Sequence, residues 1–219
     1  MPISKVENIN GSSLWALWNI TESLEDLFKK TKETDLESFY QEKITHQNKQ
    51  KEWLASRLVL RFLSEKMGVP YYGCLKDKNG KPHLYKHNLQ VSITNSFPFA
   101  AGIICQNLPV GIDLELPKEK LKKTAPKFLK YNEIQDAEEN LEKLCLYWCA
   151  KETIYKCYGK KNISLKENIS IDPFKLSSKG SLNGRIKTDN EIYKYDICYR
   201  FFMSGYLISY NTTGIRIHQ

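Results

Sequence analysis

The chain's periodicity changes four times, and that order limits what it can fold into. SLWALWNI (Ser13 to Ile20) reads as a strand, and two short helical runs follow, Leu24 to Phe28 and Leu36 to Ile44. Trp53, Leu54, Leu58, Leu60, Arg61 and Leu63 then recur at near-helical spacing, with Gly68 placed to end the helix. After Pro70 the texture becomes β-like. Asn79-Gly80 is a hairpin turn signal, and LQVSIT, FAAGIIC and PVGIDLE read as three short runs of one antiparallel patch. Helical spacing returns from Lys118 to Gly159, where Leu141, Leu144, Cys145, Trp148, Cys149, Thr153, Ile154 and Cys157 share a broad apolar face. The tail is β-rich, a hairpin of IYKYDICYRFF and SGYLISYN joined near Ser204-Gly205. Strands, helices, strands, helices, strands in this order predict an α+β fold. We expect two similar α/β lobes, a pseudo-dimer with antiparallel sheets packed by helices, divided as residues 1–106 and 107–219. FAAGIIC and FMSGYLISY echo each other faintly, each placing a small residue and a glycine before an apolar strand.

Composition narrows the class. At 219 residues the chain is long enough for a proper core, and 41% hydrophobic with 26% charged residues is ordinary for a soluble globule. There is no apolar run of transmembrane length, and MPISKVENIN lacks the pattern of a signal peptide, so a cytoplasmic location is expected and no membrane partner. The six cysteines fall mostly within apolar runs and form no Cys-x-x-Cys pair, which predicts free thiols in a reducing compartment. The formal charge of +8 favours a polyanionic partner without choosing one.

GIDLELPKEK (Gly111 to Lys120) poses the chemical question. On a strand, Asp113 and Glu115 project from one face, and like charges that close repel unless a cation sits between them. Oxygen ligands of this kind suit magnesium. Alone, the pair reads as an ordinary strand edge. On a helix, Trp148, Glu152 and Lys156 are spaced four apart and share a face. Glu152 and Lys156 read either as a surface ion pair or, beside the apolar stripe, as the lining of a cleft.

Together these segments resemble the 4'-phosphopantetheinyl transferases, of the larger two-lobed surfactin type. GIDLE matches Gly-Ile-Asp-x-Glu, and WCAKETIYK matches Trp-x-x-Lys-Glu-x-x-x-Lys. GKPHL supplies a Gly-Lys-Pro segment, and VSITNS stands where the family has a strand ending Ser-His-Ser. The resemblance runs from Lys49 to Gly159. It implies a Mg2+-dependent enzyme that moves the phosphopantetheine arm of coenzyme A to a carrier-protein serine, releasing adenosine 3',5'-bisphosphate. It implies magnesium on Asp113, Glu115 and Glu152, Lys156 on the diphosphate, and Glu133 or a metal-bound water as base. It implies coenzyme A contacts from Lys49, Lys51, Arg57, Arg61, Gly80, Lys81, Pro82, Asn95 and Ser96. The partner would be an acidic acyl or peptidyl carrier protein, and one two-lobed chain would act as a monomer.

Two departures stand out. Asn95 replaces the family histidine and can hydrogen-bond a phosphate but cannot titrate. Thr153 replaces a smaller residue. Six lysines from Lys118 to Lys130 read either as a dock for an acidic carrier or as a solvated helix face. Other readings are a coenzyme A- or carrier-binding protein without transfer, and a basic nucleic-acid-binding module; no nucleic-acid motif supports the last. His83 and His87, four apart after a Gly-Pro turn, read as surface residues.

Overall fold

The computed structural model describes residues 2–189, 191–211 and 213–217. The chain divides into two compact units, Met1–Val110 and Gly111–Gln219. The first contains β1 (Ile3–Asn8), β2 (Ser13–Asn19), α1 (Leu24–Lys30), α2 (Glu33–Gln41), α3 (Gln47–Lys66), β3 (Cys74–Lys76), β4 (Pro82–Leu84), β5 (Gln90–Ser96) and β6 (Phe99–Cys105). Its antiparallel sheet runs in the order β1-β2-β6-β5-β4-β3. The second contains β7 (Ile112–Glu115), α4 (Lys120–Phe128), α5 (Tyr131–Ala137), α6 (Leu141–Tyr158), β8 (Ile169–Ile171), β9 (Lys179–Lys187), β10 (Ile192–Phe202), β11 (Tyr206–Asn211) and β12 (Ile215–Ile217). Its sheet runs β7-β11-β10-β9-β8, and β12 pairs with β10. No helix among the described residues is long and apolar enough to cross a membrane.

The α+β reading holds, and the two units repeat one plan. A strand, three helices and four strands (β2 to β6, then β7 to β11) arrange in the same sheet order, with β1 an added edge. In each unit the third and longest helix packs on the sheet. In the first, Leu54, Val59, Leu60 and Leu63 are fully buried. Gly102 lets α3 lie close on β6, since a Cβ there would stand 2.8 Å from Val59 Cγ1. In the second, Leu146, Cys149, Ala150 and Ile154 of α6 are fully buried. Each such side chain contributes roughly 1.5–3 kcal/mol for the larger aliphatics.

Local chemistry explains several boundaries. Ser23 accepts from Asp26 N at 3.1 Å and starts α1. Gly159, at φ +68°, ends α6 in the left-handed region that glycine tolerates best. Asp77 Oδ1 accepts from Asn79 N at 2.8 Å and Lys81 N at 3.0 Å, closing the turn between β3 and β4.

One expectation is corrected. PVGIDLE does not join LQVSIT and FAAGIIC in one patch: β7 pairs with β11, Asp113 opposite Ser209 and Glu115 opposite Leu207. Alternation identifies a strand but not the sheet that takes it, and the partner here lies almost a hundred residues on. The echoed glycines also differ, Gly102 sitting inside β6 and Gly205 in the turn before β11 at φ +83°.

Candidate active site

The start of β7 lies directly under α6, and Gly111 is what permits it. A Cβ at Gly111 would stand 2.0 Å from the Thr153 carbonyl oxygen and 2.9 Å from Cys157 N, both helix backbone. Thr153 is buried and satisfied: its Oγ1 lies 2.7 Å from Ser209 Oγ and donates to Ser209 O at 3.2 Å. With strand and helix this close, Ile112 and Leu114 enter the core while Asp113 and Glu115 share the other face.

The α6 face with four-residue spacing meets those two carboxylates. Lys156 Nζ donates to Asp113 Oδ1 at 2.7 Å and to the Ile112 carbonyl at 3.2 Å. One helical turn either side of Glu152 brings the second donor: Trp148 Nε1 gives its hydrogen to Glu115 Oε1 at 3.3 Å. Glu152 sits between the two donors on the same helix face.

The electrostatics follow from this crowding. Burial, then the charges of Asp113 and Glu115, push the Glu152 carboxyl up to about 7 against the pull of Lys156. Burial and Asp113 likewise raise Glu115, opposed by the Trp148 hydrogen bond and by Lys118 and Lys156. Burial works against the Lys156 ammonium, but Asp113 and Glu152 outweigh it and hold the lysine above its usual range. The group is three acids and one cation, with charge left to neutralise.

Three hard oxygen donors of this kind fit a divalent cation in chemistry, because a cation relieves their mutual repulsion. They are not closed around one point: among the described residues no three His, Cys, Asp or Glu side chains form a metal-binding group. Lys156 takes the place of a cation at Asp113 Oδ1.

Beside Glu115 opens a cavity of about 370 Å³. Leu116, Leu121, Phe128, Trp148 and Leu165 supply apolar lining, with Lys118, Lys120 and Lys127 among the polar groups. Phe128 meets Trp148 edge-on at 4.9 Å between centroids. The lysine run is therefore split. Leu121, Ala125 and Phe128 bury one face of α4, three lysines reach the cavity, and Lys122 pairs with Glu119 at 3.1 Å.

Glu133 is held elsewhere. Its Oε2 accepts from Lys151 Nζ at 2.6 Å and Lys130 N at 2.8 Å, and its Oε1 accepts from Ile171 N at 3.0 Å. It is 1% exposed, so the oxygens that a base would need are committed to the fold. Lys151 is the residue that the sequence reading missed. Fully buried, its ammonium shares its three N–H groups among Glu133 and the carbonyls of Phe128, Leu165 and Ile169, which lie 2.9, 3.0 and 2.9 Å away. The signal was available: at helical spacing Lys151 shares a face with Tyr147, Trp148, Ile154 and Tyr155, and a lysine on a face so largely apolar needs a buried partner.

In the first unit three of the expected cations are already engaged. Lys49 pairs with Glu52 at 2.6 Å, and Lys51 donates to the Glu22 carbonyl at 2.8 Å. Arg61 holds Glu65 at 2.9 Å and the Lys30 carbonyl at 3.1 Å. Arg57 is buried against the Trp53 ring, 3.9 Å from its centroid. Gly80, at φ +84°, precedes Lys81 in the hairpin turn, and Pro82 opens β4. Asn95 and Ser96 end β5, with Asn95 Nδ2 3.5 Å from Ser56 Oγ. His83 meets Asp77 at 3.1 Å, and His87 stacks on Tyr72 at 5.6 Å. The six cysteines are free, five of them buried.

Residues 109–210 match the model of the 4'-phosphopantetheinyl transferase superfamily. The family consists of transferases that act on carrier proteins with coenzyme A. The match takes in β7, α6 and β11, so Asp113, Glu115, Trp148, Glu152 and Lys156 all lie inside it. No curated protein matches the chain.

Proposed function

We propose that the chain transfers the 4'-phosphopantetheine group of coenzyme A to a serine hydroxyl of an apo carrier protein, releasing adenosine 3',5'-bisphosphate. The observation that carries this is the meeting of α6 with β7, Lys156 on Asp113 and Trp148 on Glu115 with Glu152 between, inside the family domain. In the reaction the serine oxygen forms a bond to phosphorus as the pyrophosphate P–O bond breaks. That chemistry asks for positioning and charge neutralisation more than for covalent help.

Asp113, Glu115 and Glu152 would hold Mg2+, which when bound supplies positive charge at the pyrophosphate. Lys156 then turns from Asp113 to a phosphate oxygen, as a point charge on a flexible stem. Trp148 keeps Glu115 oriented through its indole N–H. The apolar walls beside Glu115 suit the uncharged part of the pantetheine arm, and Lys118, Lys120 and Lys127 suit an acidic carrier. Lys81, Asn95 and Ser96 remain the proposed contacts to the nucleotide end, Asn95 as a neutral donor. We assign Glu133 a place in the fold and not in the chemistry. The chain is proposed to act as a monomer in a reducing, cytoplasmic setting.

The test is carrier loading. Coenzyme A, Mg2+ and a panel of apo carriers should give the mass gain of one phosphopantetheine on the carrier serine, lost on chelation. Asp113→Ala and Glu152→Ala should each abolish it. Tight coenzyme A binding with no loading of any carrier would point instead to a binding protein. DNA binding with a steep salt dependence and no coenzyme A affinity would point to the nucleic-acid reading.

A further inference from the structure

β7 is a short edge strand, and its register decides where two of the acids point. Among the described residues it pairs with β11 alone, over four rungs from Glu115 opposite Leu207 to Ile112 opposite Tyr210. Side chains alternate along a strand, so a slip of one residue would turn Asp113 and Glu115 away from α6. Four rungs on one side are a small hold against that, and the fastening at the start of the strand gains importance accordingly.

The next rung is built with a side chain. Two directly opposed, hydrogen-bonded residues of an antiparallel pair exchange two backbone bonds. Asn211 N donates to the Gly111 carbonyl at 3.2 Å, which is one of them. The other is replaced: Gly111 N donates to Asn211 Oδ1 at 2.6 Å. The amide is held at its other end as well, since Nδ2 donates to the Thr213 carbonyl at 3.4 Å and leaves Oδ1 for Gly111. Asn211 is 3% exposed. Gly111 is buried too, where β7 lies directly under the α6 backbone, and an N–H in such a place is costly to leave without an acceptor. Ser209, two residues back on β11, is tied to Thr153 of α6. Ser209 thus holds β11 to the helix, and Asn211 holds β7 to β11. Lys156 then meets Ile112 O and Asp113 Oδ1, on the two residues that follow Gly111.

We propose that Asn211 is a positioning residue for the acids of the candidate active site. Its carboxamide oxygen sets where β7 lies beneath α6, and with that the approach of Asp113 to Lys156 and of Glu115 to Trp148. Asn211 acts through the Gly111 N–H and not by touching substrate or metal. Its effect on turnover rests on the transferase reading of the site; its effect on the position of β7 does not.

The test replaces Asn211 in the whole chain and follows two signals. The first is the indole N–H resonance of Trp148, assigned with Trp148→Phe. Its bond to Glu115 at 3.3 Å reads the position of β7 against α6 with no ligand present. The second is the Mg2+ concentration that gives half-maximal carrier loading, which does not depend on the fraction of the chain that is folded. Asn211→Leu is similar in volume and removes the acceptor. Indole exchange with solvent should quicken roughly tenfold and the Mg2+ requirement rise roughly tenfold, about the worth of one buried hydrogen bond. Asn211→Asp keeps an acceptor oxygen there in either protonation state, and both signals should stay close to wild type. Asn211→Ser, one bond shorter, should behave as Asn211→Leu does, and it decides the matter where the leucine variant does not fold. A wild-type indole signal in Asn211→Leu and Asn211→Ser would overturn the proposal. So would a loss of loading that only follows the folded fraction, with the Mg2+ requirement unchanged. A wild type that loads no carrier would defeat the transferase reading, and the indole signal would then decide the role of Asn211 by itself.

Discussion

Replacing Lys151 with methionine tests whether one buried ion pair holds the C-terminal unit in register. The ammonium is fully buried and ties four segments: Glu133 of α5, the end of α4 through Phe128, the loop at Leu165, and β8 through Ile169. Methionine fills similar volume but donates nothing. It leaves a carboxylate that is 1% exposed with two backbone N–H donors in place of three partners, and three carbonyls without their share of the ammonium's N–H groups. Breaking a buried pair by removing one member costs about 3–5 kcal/mol. Against a typical domain stability of about 5–15 kcal/mol, that is a large fraction. We expect a loss of about 4 kcal/mol in urea unfolding, read by hydrogen exchange over α4, α6 and β8, with Met1–Val110 little changed. Glu133→Leu should cost a similar amount. The double variant should cost clearly less than the two added together, because neither charge is then stranded. A single-variant loss below about 1 kcal/mol, or strict additivity of the pair, would refute this account. Glu133→Gln separates structure from chemistry: retained stability with lost transfer would return Glu133 to the role of base.

Three further outcomes are expected. Gly111→Ala drives a methyl into the α6 backbone at the Thr153 carbonyl, where no flexible side-chain end can yield; a loss of about 3 kcal/mol or more should show as a lowered urea midpoint, together with weakened coenzyme A turnover. With chelator present, stability should fall as pH rises from about 4.5 to about 7, because Glu152 binds its proton more tightly folded than unfolded; the whole effect is about 3 kcal/mol, and subtracting the Glu152→Gln profile should isolate it. Ser23→Ala removes the acceptor for Asp26 N and should cost about 1 kcal/mol, measured by thermal unfolding.

Periodicity made the elements legible, because burial on one face leaves its mark on spacing. It could not show that β7 belongs with β11, since sheet membership depends on partners far along the chain. The Asp113, Glu115, Glu152 and Lys156 group was legible only because α6 and β7 each present a regular repeat of chemistry, two residues on the strand and four on the helix. Lys151 was hidden by its neighbour: a lysine beside a glutamate reads as surface until the opposite face of the helix is known to be buried.

The repeated plan adds a reason why the acids stand in one unit alone. The β5–β6 and β10–β11 hairpins close on the pairs Ser96 with Phe99 and Phe202 with Tyr206. Counting from Phe99 and Tyr206, Gly102 of β6 corresponds to Ser209 of β11, and both face the long helix of their unit: Gly102 meets Val59, and Ser209 meets Thr153. Across the next ladder Gly102 pairs with Ala16, and Ser209 pairs with Asp113. Two residues nearer the hairpin, Ala100 pairs with Trp18 where Leu207 pairs with Glu115. The first unit thus fills with Ala16 and Trp18, both buried, the positions that the second gives to two carboxylates. An apolar pair there needs no donors from α3, and the helix can bury its face in full. A carboxylate pair needs a counter-charge, and α6 supplies Trp148 and Lys156. The same scaffold therefore serves as a core in one unit and as a charged cleft in the other, with the difference set by two strand residues and the helix face above them.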